Sequence, residues 1–182
     1  MLSAMLRTVA LLVGLCADTL CALAQAPSAA TLSLSLKTMN KALAGCRESY
    51  TQVYPGSKEP LLKPVVGNDN YYKDLKSLDH AETFTSFLIA HPDKVSGKLL
   101  VAVLSASDDF SVGVGSTRSE VLRHLVIDKD VASNATRMTV AAEALNGCQK
   151  SLFNAGDDFV ELVMNYVGAE DEALARAKAG NR

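Results

Sequence analysis

The feature that most constrains this chain is a stripe. Between Thr31 and Val53 the apolar residues Leu32, Leu36, Met39, Leu43, Cys46, Tyr50 and Val53 recur at steps of 4, 3, 4, 3, 4 and 3. That spacing holds all seven on one side of a 3.6-residue helix. A helix with one apolar side has to bury it against another element. A second stripe runs through Met138, Ala141, Leu145, Cys148 and Leu152, again in steps of 3 and 4. Each stripe holds one cysteine, and the frame A-L-x-G-C-x-x-S recurs around both, at Ala42–Ser49 and Ala144–Ser151. The spacing predicts two helices lying side by side and joined by a Cys46–Cys148 disulfide. Gly45 and Gly147 are expected to leave room for close approach, since a disulfide needs Cα atoms within about 4.4–6.8 Å.

The pairing rests on the compartment, and the first residues address that. Met1–Arg7 has a basic residue, Thr8–Ala17 is an apolar run of ten residues, and Asp18 interrupts it. Ten residues of helix cover only about half of a ~30 Å hydrocarbon core. The pattern is that of a cleavable secretory signal over residues 1–24, ending at the small residues Ala22-Leu23-Ala24. The alternatives are a cut two residues later and a buried N-terminal helix. Leu15 and Leu20, which precede Cys16 and Cys21, do not suit lipid attachment. Cleavage removes those two cysteines and leaves Cys46 and Cys148, an even pair in an oxidising compartment. The bridge closes a loop of 102 residues (148 − 46). The alternatives are two separate buried thiols, or a catalytic thiol beside His80 or His124, for which no local motif is present. No second long apolar stretch is apparent, so a protein soluble after export, periplasmic or secreted, is expected.

Eighteen Lys and Arg against 20 Asp and Glu give a net charge of −2. That balance lacks the basic excess of a nucleic-acid binder or a polybasic membrane-surface protein. A content of 48% hydrophobic and 21% charged residues is that of one globular domain, taken as residues 25–182.

The rest of the chain reads mostly as helix. Pro27–Ala30 is a short leader. Tyr54-Pro55-Gly56 ends the first helix, and Ser57–Gly67, with Pro60 and Pro64, is a loop. Asn68 or Asn70 caps a helix through Tyr71, Leu75, Leu78, Thr85 and Leu88, which His91-Pro92 stops. Residues 95–115 are ambiguous. Pro92 and Asp93 favour a helix over 94–106, whereas Leu99–Leu104 followed by the alternation of Phe110–Val114 allows a hairpin at 99–114. Thr117 and Glu120 form a capping box before a further helix, which Asp128–Asp130 breaks. Ser133 or Asn134 opens the helix of the second stripe, Asn154-Ala155-Gly156 ends it, and Asp157 caps a last one through Phe159, Leu162, Val163 and Tyr166. The tail from Ala169 runs acidic to basic and is expected to be a solvated, fraying end. The fold class is all-α, a disulfide-stapled bundle of five or six helices, with α+β as the alternative if the hairpin forms.

The chain shows little chemistry. His80, His91 and His124 lack metal-ligand spacing, and C-x-x-C, H-E-x-x-H, P-loop and G-x-S-x-G patterns are absent. Gly113-Val114-Gly115 lacks the third glycine of a dinucleotide loop, with Arg118 in its place. Asp108-Asp109 and Asp157-Asp158 each precede Phe and read as caps rather than as paired catalytic carboxylates. Asn134-Ala135-Thr136 is a glycosylation sequon, which matters only in a eukaryotic secretory pathway. No catalytic residue, metal ligand or cofactor is assigned. Tyr50, Tyr54, Tyr71 and Tyr72 bracket the Pro/Gly loop, and tyrosines beside an irregular loop suit a recognition surface. The alternative is that two of them are core residues.

In architecture the chain resembles two kinds of protein. One is the small exported helical immunity proteins of bacteria. The other is the plant invertase and pectin-methylesterase inhibitors, to which Ala-Leu-x-Gly-Cys at 42–46 and 144–148 is similar, although two mature cysteines are fewer than that family carries. The expected function is an exported, non-enzymatic helical protein that binds a protein in its own compartment, as an inhibitor or immunity-type protein. The alternatives are a carrier of a small apolar ligand, with a cavity among Leu99–Leu104, Leu122 and Leu162, and a hydrolase using Asp and His residues.

Overall fold

A computed structural model describes residues 26–53, 61–62, 70–127 and 135–180. The 1–24 signal, the Pro/Gly loop with Tyr54, and the caps at Asn68, Ser133 and Asn134 lie outside the described residues. Among the described residues there are four α-helices: α1 (Ala29–Thr51), α2 (Asn70–Ala90), α3 (Gly97–Ile127) and α4 (Ala135–Gly180), with a 3-10 turn at Pro92–Lys94 between α2 and α3. Each helix packs on the next, and α4 returns to pack on α1. Neighbours are antiparallel. Asn40 on α1 meets Thr85 on α2 while Tyr50 meets Asp74. Gly97 at the start of α3 meets Glu170, and Gly115 meets Gln149.

The described residues give four helices where five or six are expected, because two expected breaks are bridged by continuous stripes. In α3 the residues with buried side chains are Leu100, Val103, Ser107, Phe110, Val114, Thr117 and Val121, at steps of 3, 4, 3, 4, 3 and 4. Ser107 and Thr117 hide that stripe from an apolar-only reading. Ser107 satisfies its hydroxyl within the helix by donating to the Val103 carbonyl at 2.8 Å, which makes a buried serine tolerable. Phe110–Val114 is therefore helical, and the hairpin alternative at 99–114 is not the fold. In α4 the buried series Leu145, Cys148, Leu152, Ala155, Phe159 and Leu162 crosses Asn154-Ala155-Gly156 without a change of step. One Gly in an exposed turn costs about 1 kcal/mol relative to Ala, less than burial of Phe159 and Leu162 contributes. Asp108-Asp109 and Asp157-Asp158 thus lie inside helices and cap nothing.

The starts of the helices also differ from expectation. Ser28 caps α1, its hydroxyl accepting from the Thr31 amide at 3.1 Å, so the leader ends two residues earlier than expected. Pro92 begins the 3-10 turn, and α3 starts only at Gly97, whose amide donates to Glu170 Oε2 at 3.0 Å. The Tyr166 hydroxyl donates to the Val95 carbonyl at 3.2 Å, and with Glu170, the second residue of the supposed fraying tail, it holds the entrance to α3. At the other end the Leu61 and Leu62 amides both donate to the Val53 carbonyl, and Leu62 is buried.

The core is one cluster drawn from all four stripes. Polar ties fix its register. Arg47 donates to Glu82 through Nε, at 3.1 and 3.3 Å to the two carboxylate oxygens, and its Nη2 also reaches Glu82 and Asp79. The Glu82 bond, and then that of Asp79, outweigh the cost of burial and hold the guanidinium protonated well above its ordinary range. Cys46 and Cys148 are disulfide-bonded with Cα atoms 5.0 Å apart. Both lie on the buried stripes, so the bridge joins the first helix to the last and closes the ring. One described helix, over Gly97–Val126, is long and apolar enough by length and composition to cross a membrane. Its buried stripe faces the bundle, between α2 and α4.

Candidate interaction surface

Where two stripes face inward, the residues one position round the helix form grooves outside. The groove between α3 and α4 has a volume of about 450 Å³ and is lined by Val101, Leu104, Ser105, Asp108 and Ser111 on one wall and Leu152, Phe153, Gly156, Asp157 and Val160 on the other. It is open to solvent. Phe153 stands on its rim 64% exposed, with Val101 and Val160 also exposed. A Cβ at Gly156 would meet nothing within 4 Å, so the missing side chain keeps the α4 wall low at mid-groove. The two charged lining residues, Asp108 and Asp157, are both acidic.

A second groove, of about 530 Å³, lies between α1 and α4 over the disulfide. The shared frame explains its form. Gly45 and Ser49 on α1 and Gly147 and Ser151 on α4 take equivalent places on either side of Cys46–Cys148, as antiparallel copies of one motif must. Contrary to the expectation from sequence, the glycines do not serve close approach. A Cβ at Gly45 or Gly147 would meet nothing within 4 Å. Their effect is to open the groove, which contains no large apolar side chain. A third cleft, near the start of α1, is lined by Thr31, Ser35, Asp158, Glu161 and Asn165 among others.

The tyrosines separate. Tyr50 is fully buried and its hydroxyl donates to Asp74 Oδ2 at 2.6 Å. Its ring stacks on Tyr71 (centroids 6.0 Å apart, planes at 15°) and meets Phe110 edge-on at 5.2 Å. Tyr50 is thus a core residue and presents no ring to a partner, a correction to its place in the recognition surface. Tyr54 lies outside the described residues. Tyr71 is half-buried; burial, and then Tyr72, push its hydroxyl above the ordinary value. Tyr72, 72% exposed, is the one of the described three that faces solvent.

Asp74 is where glycine is required. Its carboxylate lies against the α3 backbone, and a Cβ at Gly113 would come within 2.3–2.6 Å of it. Gly113-Val114-Gly115 is therefore helix interior shaped for an inter-helix contact. Burial pushes the Asp74 carboxyl up; the Tyr50 hydrogen bond and Lys73 oppose this, and Asp109 adds to it.

The histidines lie apart. His80 tilts over Phe84, His91 over Phe87, and His124 lies 4.0 Å from Glu120. No histidine lines any of the three grooves. Among the described residues no group of three or more His, Cys, Asp or Glu is placed to hold a metal ion. The residues expected to enclose an apolar cavity do not converge: Leu162 is in the core, Leu122 is exposed, and Leu104 reaches the α3–α4 groove. Phe153 and Val160 were the residues that the reading of the sequence missed. The break that Asn154-Ala155-Gly156 predicts divides their helix face in two. Compared with protein-family models, with curated proteins and with solved structures, the chain matches none.

Proposed function

We propose that this chain is an exported, non-enzymatic helical protein that binds a partner protein, as an inhibitor or immunity-type protein, and that the α3–α4 groove is its docking surface. The observation that carries the reading is Phe153, an aromatic ring held in solvent over an apolar groove on two packed helices. Exposed aromatic and aliphatic side chains gathered on one face are a common mark of interaction sites, and aromatic anchors dominate binding energy. The walls belong to helices tied by the core, so little order is lost on binding. Tyr72, on α2, is a second candidate anchor. Export is supported by the disulfide, which persists in oxidising compartments, and by the signal pattern at 1–24.

The test is capture by the mature, oxidised protein from an extract of its own source, with bound species identified by mass spectrometry, beside Phe153→Glu. One stoichiometric protein lost with the variant is the expected result. The same protein held equally by Phe153→Glu overturns the groove assignment. A bound fraction of small apolar molecules alone points instead to the carrier reading, which the apolar lining of Leu104, Leu152 and Val160 favours.

A further inference from the structure

α4 is 46 residues long and α3 only 31. Glu170 of α4 holds the Gly97 amide at the start of α3. Beyond it, Asp171–Gly180 runs on as helix with its side chains exposed, apart from half-buried Glu172. Ten residues of helix extend about 15 Å. This projection carries one large apolar residue, Leu174, 58% exposed, followed by Arg176 and Lys178.

We propose that the α3–α4 groove is a self-association surface, and that its occupant is the projecting end of α4 from a second copy of this chain. The proposal rests on the reading of that groove as a docking surface. Three observations carry it. The first is length: the groove follows α3 from Val101 to Ser111, about 15 Å, equal to the projection. The second is chemistry. The groove offers apolar walls with two carboxylates, Asp108 and Asp157, and no basic side chain, while the projection, acidic only in its first two residues, offers Leu174 and then Arg176, paired with Glu172, and Lys178. The third is continuity. Phe153, Asp157, Val160, Met164, Val167, Asp171, Leu174 and Lys178 follow at steps of 4, 3, 4, 3, 4, 3 and 4, one face of α4 from groove to tip. Met164, midway, is 69% exposed.

The projection cannot fill its own groove. It belongs to the same continuous helix and runs on from the groove, with Leu174 about 21 Å beyond Val160. Two copies can fill each other's grooves at once if their α4 helices lie antiparallel on this face. A two-fold axis near Val167 then brings Leu174 of each copy against Val160 of the other, with Lys178 opposite Gly156 and so beside the Asp157 carboxylate. The arrangement is isologous and closed, so it gives a dimer and not a filament. Its contact is small, and it belongs to the weak, exchanging class.

Sedimentation equilibrium of the mature, oxidised protein over a concentration series tests this. The expected result is an apparent mass that rises from one chain toward twofold with concentration. Leu174→Asp, on a segment outside the core and so without effect on folding, weakens association by roughly tenfold or more. Asp157→Lys and Lys178→Asp weaken it singly and restore it together. A single-chain mass at every concentration overturns the proposal, as does a dimer unaffected by Leu174→Asp. Failure here is distinct from failure of the functional reading: Leu174→Asp leaves the groove intact, so partner capture that is lost with Phe153→Glu but kept with Leu174→Asp in a monomeric protein retains the docking surface and removes only the second copy as its occupant.

Discussion

Removal of the Cys46–Cys148 bridge is the sharpest test of how this bundle is held. The bridge joins α1 to α4 across 102 residues of chain, so in the unfolded state it ties together most of the domain. Loop-closure entropy for a ring of that size is worth about 4.7 kcal/mol, a large share of the net stability of an ordinary domain. In Cys46→Ala/Cys148→Ala the helices keep their stripes and the small buried alanines leave little cavity, so the loss should come from the unfolded ensemble. For a domain of this size that corresponds to a fall in Tm of roughly 10–20 °C. Urea unfolding followed by far-UV circular dichroism measures it, and the m-value should rise because the unlinked chain exposes more surface. Reductant should move the wild type to the variant's curve and leave the variant unchanged. A loss below about 1 kcal/mol with an unchanged m-value would refute the entropic account. It would mean that the unfolded chain already keeps α1 and α4 together.

Two further outcomes follow from the glycines and from Asp74. Gly45→Ala and Gly147→Ala, where a Cβ meets nothing within 4 Å, should each stabilise by about 0.5–1 kcal/mol through helix propensity. Gly113→Ala, which drives a Cβ into the Asp74 carboxylate, should cost about 1–3 kcal/mol and be partly relieved by Asp74→Ala; equal effects at all three sites would sink the distinction. Burial raises the Asp74 carboxyl, so the folded chain holds this proton to higher pH than the unfolded chain does. This group's contribution to stability therefore falls as pH rises from about 4 through the raised folded value, and is flat above it. Asp74→Asn keeps an oxygen for the Tyr50 hydroxyl and removes the charge. It should raise stability at neutral pH and flatten that slope; thermal melts across the range that superimpose on the wild type would show the burial cost to be negligible.

The sequence alone pointed to the all-α class, to α1 within two residues at each end, and to the partnership of Cys46 with Cys148. Each rests on a periodicity written in strongly apolar residues, which needs no neighbour to interpret. It was insufficient where a position is buried by packing and not by its own hydrophobicity. Ser107 and Thr117 continue the α3 stripe only because α2 and α4 cover them, and Gly156 stays helical only because Phe159 and Leu162 beyond it reach the core. The interior status of Tyr50 could not be read either, since a tyrosine suits both an interior and a surface; the Asp74 carboxyl on the next helix decides it. Local rules for caps and breakers are worth about 1 kcal/mol each, and burial of a large side chain is worth more. Tertiary packing therefore overrode them at 97–127 and at 154–157, and in doing so it made the continuous face of α4 on which the groove and the projecting end both lie.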